Sequence, residues 1–384
     1  MNSDSIKTLA DMRDRPLLRL LIAACQATGL LLTWPLWQVR SGATTPPNLP
    51  LFDAALLDRL QVPFGESLLL TLVVALIWPR IGSVAHVALL AAAIGFDQLR
   101  IQPEFVSLAI LLLGTLPRRG PLLLARCHLT ALWFWAGLHK LLCPEYLQST
   151  GPDLVQGLLS GATDRQAMIL GIGTAMVELS LGLAAIFPVT RRGVPLVAAI
   201  LHGIVLLTLV ARGWNTAVWP WNLALAVAGY GFFHGWTGSL WSWESASTPP
   251  IESASARSAA ITSSSPLCRW LWQSVAVIAL SYPALFYLNL CDGYLAWCVY
   301  SSNVPEAVIY DSDSPEGERL FDRAYEPLNV PFSPATRLFK QYFRRVGQFD
   351  DRLEIDDPRP LSRWRRTGKR WLVFTDEGPV EIHR

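Results

Sequence analysis

Long apolar runs recur between residues 17 and 290, and short loops containing arginine, proline or glycine separate them. Runs close to 20 residues have the length of an α-helix that crosses the hydrocarbon core of a bilayer. The pattern predicts about nine such segments, the fourth of which is short enough to be re-entrant. They cover residues 17–37, 66–79, 82–98, 104–116, 121–142, 166–187, 193–211, 216–234 and 267–290.

The arginines between these runs fall on alternate sides of the predicted membrane. The loops on one side contain most of these arginines, namely Arg13/Arg15/Arg19, Arg80, Arg118/Arg119, Arg191/Arg192 and Arg257/Arg269. The other side carries single arginines such as Arg40, Arg100 and Arg212. Because cytoplasmic loops are enriched in Lys and Arg, we expect a multi-pass protein of the cell membrane. Its N-terminus is expected to be cytoplasmic and its C-terminal tail extracytoplasmic.

The pattern changes after residue 290. Residues 306–310, 371–374 and 380–382 are predicted strands, and residues 334–346 are a predicted amphipathic helix with a proline near its start. The chain is therefore predicted to be an all-α polytopic membrane bundle of about eight to nine helices. A small mixed α/β extramembrane domain is expected to follow and to dock on the bundle.

Five regions follow from these shifts in composition. They are a cytoplasmic N-terminal segment (1–16), the bundle (17–235), a linker (236–265), the last membrane helix (266–290) and the extracytoplasmic domain (291–384). Serine, alanine and proline dominate residues 245–265, which predicts a flexible cytoplasmic linker without a packed core.

The composition agrees with a membrane protein. Hydrophobic residues make up 52% of the 384 residues, and charged residues only 16%, against about 25% in soluble domains. The lipid bilayer is the first expected partner, and the 16 tryptophans suit a chain with many lipid–water interfaces. A net charge of +2 gives no reason to expect nucleic acid. Cys143, Cys291 and Cys298 lie near segment ends, where they either remain thiols or pair in an oxidising compartment.

Lys140 ends an otherwise apolar and aromatic segment. An ammonium inside a bilayer costs several kcal/mol unless it reaches the interface, pairs with an acid or loses its proton. The first outcome makes Lys140 an interfacial anchor, and the last makes it a base. Small neighbours, Ala136 and Gly137, allow a second helix to approach beside it. Asp97 is expected to cap its own helix, to pair with Arg100 or to reach Lys140.

Two further polar residues lie in the middle of apolar segments. Glu178 shares a helical face with Gly171, Ala175 and Gly182, so we expect it to point into the bundle. It either holds helices together or takes part in chemistry. His202 lies on a similar face and is either a packing residue or a functional group. The histidines show no metal-binding spacing, so no metal site is predicted.

Tryptophans and amides cluster in residues 214–222, at a predicted outer mouth. Anchoring at the interface is the ordinary interpretation of such a belt. The alternative is a lining for a flat aromatic or quinone-like ligand, because indole faces suit such rings. The candidate cofactor-binding residues are Trp133, Trp219, Trp221 and Asn222.

The stretch Ala136-Gly137-Leu138-His139-Lys140-Leu141 resembles the vitamin K-dependent gamma-carboxylase and the bacterial proteins that share its horizontally transferred transmembrane (HTTM) domain. Glu178 and His202 follow in the same order, and the resemblance covers roughly residues 15–235. It implies a reduced quinone as cofactor and Lys140 as the base that deprotonates it. Lys140, Glu178 and His202 are accordingly the candidate catalytic residues.

This chain departs from that family at three points. His139 stands where the family has the first lysine of a pair, and residues 102–104 stand where it has a histidine. The tail is much shorter than the family's extramembrane part, so processive carboxylation of a tethered protein is not expected. Three classes of function remain open. They are a quinol-dependent enzyme with Lys140 as base, a membrane scaffold or partner subunit with a structural ion-pair network, and a transporter.

Overall fold

The computed structural model describes residues 15–40, 45–51, 62–236, 240, 266–311, 315–359, 369–375 and 378–382. The predicted cytoplasmic segment, except its last two residues, and the predicted linker stretch 245–265 lie outside the described residues. All nine predicted apolar runs are helical in the structure, which confirms them as helices. The helices are α1 (Pro16–Leu32), α2 (Trp34–Trp37), α3 (Phe64–Ile77), α4 (Pro79–Phe96), α5 (Pro103–Gly114), α6 (Arg119–Leu141), α7 (Gly151–Leu158), α8 (Asp164–Ile186), α9 (Val194–Arg212), α10 (Trp219–Phe233), α11 (Pro266–Ser281), α12 (Leu320–Leu328) and α13 (Thr336–Val346).

Four of the described helical stretches are long and apolar enough to cross a membrane. They are Pro79–Phe96, Asp164–Ile186, Thr190–Arg212 and Pro266–Leu288, the last two including short 3₁₀ turns that adjoin α9 and α11. Helices α1, α3 and α5 are apolar but shorter. The 12 residues of α5 span about 18 Å at 1.5 Å per residue, against a hydrocarbon core of about 30 Å.

Helix α6 lies at the centre of the bundle, between α5, α8, α10 and α11. It is as long as α8, but it contains Arg126, His128, His139 and Lys140, all of them buried. These polar residues are compatible with a membrane bundle because protein, and not lipid, surrounds this helix. The candidate site is therefore built on a helix whose residues are mostly buried.

Helices α6 and α8 approach each other closely through glycine. A Cβ atom added at Gly182 would lie 2.5 Å from the backbone nitrogen of Phe134, and one at Gly137 would overlap the backbone of Leu179 and Ala175. Side chains larger than hydrogen would therefore separate the two helices. The predicted small-residue face of α8 is confirmed, and it turns Glu178 toward α6.

The tail contains a five-stranded antiparallel sheet in the order β2-β1-β3-β4-β5. The strands are β1 (Glu306–Tyr310), β2 (Glu318–Arg319), β3 (Arg352–Asp356), β4 (Lys369–Thr375) and β5 (Gly378–Ile382). The predicted strands β1, β4 and β5 and the amphipathic helix α13 are confirmed. Strands β2 and β3 and helix α12 were not predicted. Leu353 and Ile355 alternate inward along β3, but its charged residues hide that pattern in the sequence.

The tail is docked on one end of the bundle. Gln341 of α13 donates to the carbonyl of Pro50 at 2.9 Å, and Arg345 donates to that of Asn48 at the same distance. Near α12, Asn329 donates to the carbonyl of Leu32 at 3.0 Å. These contacts position the loop of residues 291–305, hereafter the connecting loop, over the end of α6.

Candidate functional site

Lys140 and Glu178 form a buried ion pair between α6 and α8. The Nζ atom of Lys140 donates to Oε2 of Glu178 at 2.6 Å. The two residues are 6% and 7% exposed. Of the outcomes considered for Lys140, pairing with an acid is therefore the one observed. The partner is Glu178 and not Asp97.

The pair forms because the glycine contacts bring the two helices together at this level. Lys140 lies in the last turn of α6, where a cation also interacts favourably with the helix dipole. Tyr146 covers the lysine from the π-helical turn Tyr146–Thr150, with its ring centroid 6.0 Å from Nζ. π-Helical turns occur frequently at functional sites.

An apolar cavity of about 320 Å³ adjoins the pair, and both Lys140 and Glu178 line it. This volume is at the lower end of the range of pockets that bind small organic molecules. Five elements supply most of the wall. The residues that line it are Leu132, Ala136, Lys140, Tyr146, Gly151, Leu154, Val155, Leu158, Leu159, Leu170, Gly171, Thr174, Glu178, His202, Ile204, Val205, Thr208, Leu209, Trp221, Asn222, Leu225, Trp297, Val299 and Tyr300.

The connecting loop closes one end of this cavity with Trp297, Val299 and Tyr300. Trp297 and Tyr300 have φ angles of 64° and 53°, which place both in the left-handed region. Non-glycine residues there cost energy and persist when their surroundings hold them. Burial raises the pKa of the Tyr300 phenol, so this residue faces the cavity as a neutral hydroxyl.

His202 is held by hydrogen bonds on both ring nitrogens. The indole Nε1 of Trp133 donates to Nε2 at 2.9 Å, and Nδ1 lies 3.1 Å from the amide oxygen of Asn222. Because an indole only donates, Nε2 is the acceptor and Nδ1 carries the proton. Asn222 in turn donates to the carbonyl of Val218 at 3.1 Å. His202 is therefore a neutral, fixed part of the cavity wall.

Of the four candidate ligand-binding residues, two line the cavity and two do not. Trp221 and Asn222 line the cavity. Trp133 is buried behind His202 and reaches the cavity only through it. Trp219 points elsewhere and donates to the carbonyl of Trp214 at 2.8 Å. The predicted aromatic belt therefore contributes one indole face to the site.

Asp97 belongs to a different cluster at the same end of the bundle. Its Oδ2 atom accepts from Arg40 at 2.5 Å and lies 3.7 Å from Arg100. Its Oδ1 atom accepts from the backbone of Leu49 and Leu99 at 3.0 and 3.2 Å. The predicted pairing with Arg100 is present, whereas the side chain of Asp97 caps the 3₁₀ turn Gln98–Arg100 and not its own helix as predicted. This cluster joins loops of the bundle and has no contact with the cavity wall.

His139, next to Lys140, holds the connecting loop. Its Nε2 atom is 2.9 Å from the carbonyl of Ala296, and its Nδ1 atom is 2.7 Å from the hydroxyl of Tyr287. Since a carbonyl only accepts, Nε2 carries the proton and Nδ1 accepts from Tyr287. Asn303 donates to the same hydroxyl at 3.3 Å. The next residue in sequence is Lys140, so adjacent residues of α6 contact the connecting loop and form the ion pair.

Several residues of the site lie outside the predicted set. Tyr146 and helix α7 were not predicted, although the apolar spacing of Leu147, Leu154 and Leu158 indicates an amphipathic helix. Trp297 and Tyr300 carry no sequence signal, because only the docking of the tail brings them to the bundle. Cys291 and Cys298 are buried free thiols.

Three helices thus place Lys140, Glu178 and His202 on one apolar cavity. Within the described ranges, His, Cys, Asp and Glu do not gather into a group of three or more that could hold a metal ion. No protein-family model, curated protein or solved structure matches this chain.

Proposed function

We propose that this chain is a multi-pass membrane protein that binds a reduced quinone in its central cavity and deprotonates it at the Lys140–Glu178 pair. The observation that carries the proposal is that the ion pair forms part of the wall of an apolar cavity. A purely structural pair needs only close packing around it. A charge pair beside an organic-sized space is instead the arrangement required to transfer a proton to or from an apolar ligand.

The shape of the cavity fits such a ligand. Trp221 and Trp297 offer indole faces to a flat ring, and Leu154, Leu158 and Leu209 surround the remaining space. Tyr300 offers a neutral hydroxyl at the loop end. A hydroquinone has the matching features, which are a flat apolar ring and two hydroxyl groups.

The resemblance to the gamma-carboxylase and its HTTM relatives agrees with this proposal at three positions. Lys140, Glu178 and His202 come together on one cavity, and the resemblance gives Lys140 the role of base. His139 stands at the family's first lysine and is committed to Ala296 and Tyr287. We therefore propose quinol chemistry without extending it to carboxylation of a protein.

The same proposal includes the membrane topology. All nine apolar helices are proposed to cross or enter the bilayer, with α6 shielded at the centre. The arginine distribution supports a cytoplasmic N-terminus and an extracytoplasmic tail. The cavity then lies near the outer interface, where the tail covers it.

A scaffold or partner subunit is the second candidate function, and one observation favours it. The Oε2 atom of Glu178 accepts from Lys140, and Asp97 forms a separate network with Arg40. Such pairs can fix the arrangement of helices without chemistry. A transporter, the third class, has no comparable support in the site geometry.

The proposal is tested by the oxidation of a soluble naphthohydroquinone by dissolved dioxygen, which gives quinone and hydrogen peroxide. Purified wild-type protein is expected to accelerate quinone formation saturably. Val205→Trp places an indole in the cavity and should abolish the acceleration. Leu207→Trp is the matched control, because Leu207 is on the same helix, is 60% exposed and does not line the cavity. An inert wild type, or equal rates in both variants, would favour the scaffold.

A further inference from the structure

The ion pair contains two candidate proton acceptors, and the geometry distinguishes them. In water, the pKa of a lysine amine is higher than that of a glutamate carboxyl group by about six. The contact of 2.6 Å joins the Nζ atom of Lys140, as donor, to the Oε2 atom of Glu178, as acceptor, and the attraction between an ammonium and a carboxylate stabilises it. An ammonium has three donors and no acceptor, so in this state Lys140 has nowhere to receive a proton.

Glu178 retains the acceptor capacity that Lys140 lacks. Lys140 occupies its Oε2 atom, whereas Oε1 accepts no hydrogen bond from any residue in the described part of the chain. A carboxylate oxygen has two lone-pair sites, and Glu178 is part of the cavity wall. A ligand hydroxyl in the cavity can therefore meet the carboxylate and the ammonium together.

Most of the other polar groups of the wall already have partners, whereas the indole Nε1 of Trp221, which only donates, and the Tyr300 hydroxyl are buried without one. Both ring nitrogens of His202 have partners. The hydroxyls of Thr174 and Thr208 donate to carbonyls of their own helices at 3.0 Å. Tyr146 donates to the carbonyl of Gly171 at 3.3 Å, and Tyr300 is a neutral phenol. Among the ionisable groups that face the pair, the Glu178 carboxylate is left as the acceptor.

We propose that Glu178 is the proton acceptor for the ligand hydroxyl and that Lys140 stabilises the anion that results. The inference rests on the proposed function, and it assigns the base role to a different residue from the one that the resemblance implies. The O–H bond of the hydroquinone breaks, the proton passes to the Glu178 carboxylate, and the electron pair stays on the ligand oxygen. Lys140 exchanges one anionic partner for another, so the number of charges in the cavity does not change.

The test compares a substitution that keeps the positive charge at residue 140 with one that removes the proton acceptor at residue 178. Lys140→Arg keeps the cation, but a guanidinium does not lose its proton. It is expected to keep kcat within about tenfold of wild type, since it still stabilises the anion. Glu178→Gln keeps the size and a hydrogen-bond acceptor but removes the base. It is expected to lower kcat by about 10²–10⁴-fold with little change in KM. Glu178→Asp restores a carboxylate and should recover part of that loss.

The pH dependence of the turnover rate distinguishes a role of Glu178 in proton transfer from a purely structural role. As the pH rises through the ionisation of the free hydroquinone, the substrate arrives already deprotonated. The defect of Glu178→Gln is then expected to disappear, because the missing step is no longer needed. The defect of Lys140→Met is expected to persist, because the anion still lacks its cation. Thermal unfolding of each variant in detergent confirms that it is folded before its rate is compared.

The opposite pattern would overturn the inference. If Lys140→Arg were inactive and Glu178→Gln active, Lys140 would be the base. A Glu178→Gln defect that is unchanged at high pH would also overturn it, by showing that the carboxylate acts through structure. These outcomes require an active wild type. A wild type that neither binds nor oxidises the hydroquinone would instead refute the proposed function, and the inference with it.

Discussion

At the scale of single residues, the main feature is the buried ion pair of Lys140 and Glu178, which lines the cavity. Burying two charges removes their hydration, and the attraction between Lys140 and Glu178 offsets that loss only while both are present. The sequence alone indicated that Glu178 points inward and that a second helix can approach Lys140, but it left open whether Lys140 is an interfacial anchor. It did not indicate that they meet, because their 38-residue separation contains a turn and a short helix that were not predicted.

The first prediction concerns the stability of this pair. Lys140→Met should lower the free energy of unfolding by about 3–5 kcal/mol, because it leaves the Glu178 charge buried without a partner. Lys140→Met combined with Glu178→Leu should recover most of that loss, because no charge remains buried. Chemical unfolding in detergent micelles measures both.

The exposed pair of Arg319 and Glu306 provides the control for that measurement. Their side chains are 53% and 46% exposed, so Arg319→Met should cost less than about 1 kcal/mol. A Lys140→Met variant that is no less stable than Arg319→Met would show that the central charges are not effectively buried.

A second prediction at this scale concerns a thiol of the tail. Burial raises the pKa of Cys291 to about 12, so about one molecule in 10⁴ carries the thiolate at pH 8. Because the thiolate is the reactive form, alkylation of native Cys291 should be at least about a hundredfold slower than in denatured protein. The rate should rise about tenfold per pH unit below the pKa. Mass spectrometry of iodoacetamide-treated protein measures this, and equal rates in native and denatured protein would contradict it.

At the scale of elements, close helix packing makes the site possible. Apolar runs and small-residue faces predicted the bundle helices and the inward face of α8. Helix α7 is short, and strand β3 mixes charged and apolar residues, so neither was recognised. Both depend on tertiary neighbours: α7 contacts α8 and α9, and β3 is paired on both sides. Local pattern is a weak guide where neighbours supply most of the stability.

The glycine contact between α6 and α8 gives the third prediction. Gly182→Ala should destabilise the protein by about 1–3 kcal/mol, because the added methyl group would lie 2.5 Å from the backbone of Phe134. It should also slow quinol turnover, since the helices that carry Lys140 and Glu178 would separate.

Gly173→Ala is the matched control on the same helix, because apart from the adjoining residues and backbone of that helix no described atom lies within 4 Å of its added Cβ. Alanine is the better helix former, so this variant should be neutral or more stable by up to about 1 kcal/mol. Thermal unfolding compares the two. Equal effects of both substitutions would mean that α6 and α8 are not in close contact.

At the scale of the whole molecule, the tail completes the cavity. The sequence predicted a separate folded tail that docks on the bundle. It did not predict that Trp297 and Tyr300 would form part of the site, because that depends on how two regions meet in space. His139 shows the same limit. Its position beside Lys140 is evident in the sequence, but its role in holding Ala296 becomes evident only when the connecting loop is docked.

The fourth prediction concerns orientation. An exposed cysteine introduced at Glu316 of the tail should react with a membrane-impermeant maleimide in intact cells, because the arginine distribution places the tail outside. A cysteine introduced at Ser245 of the predicted linker should react only after the membrane is permeabilised. Gel-shift labelling against the wild-type background measures both. The reverse pattern would invert the proposed topology and place the cavity near the cytoplasmic interface.

The most direct test of the central claim is an experimental density map of the full chain in lipid nanodiscs, with a naphthohydroquinone added. Density for the ring is expected between Trp221 and Trp297. One hydroxyl should lie within hydrogen-bond distance of both Glu178 Oε1 and Lys140 Nζ. A cavity that stays without the ring at saturating hydroquinone, or a ring bound away from the Lys140–Glu178 pair, would contradict it.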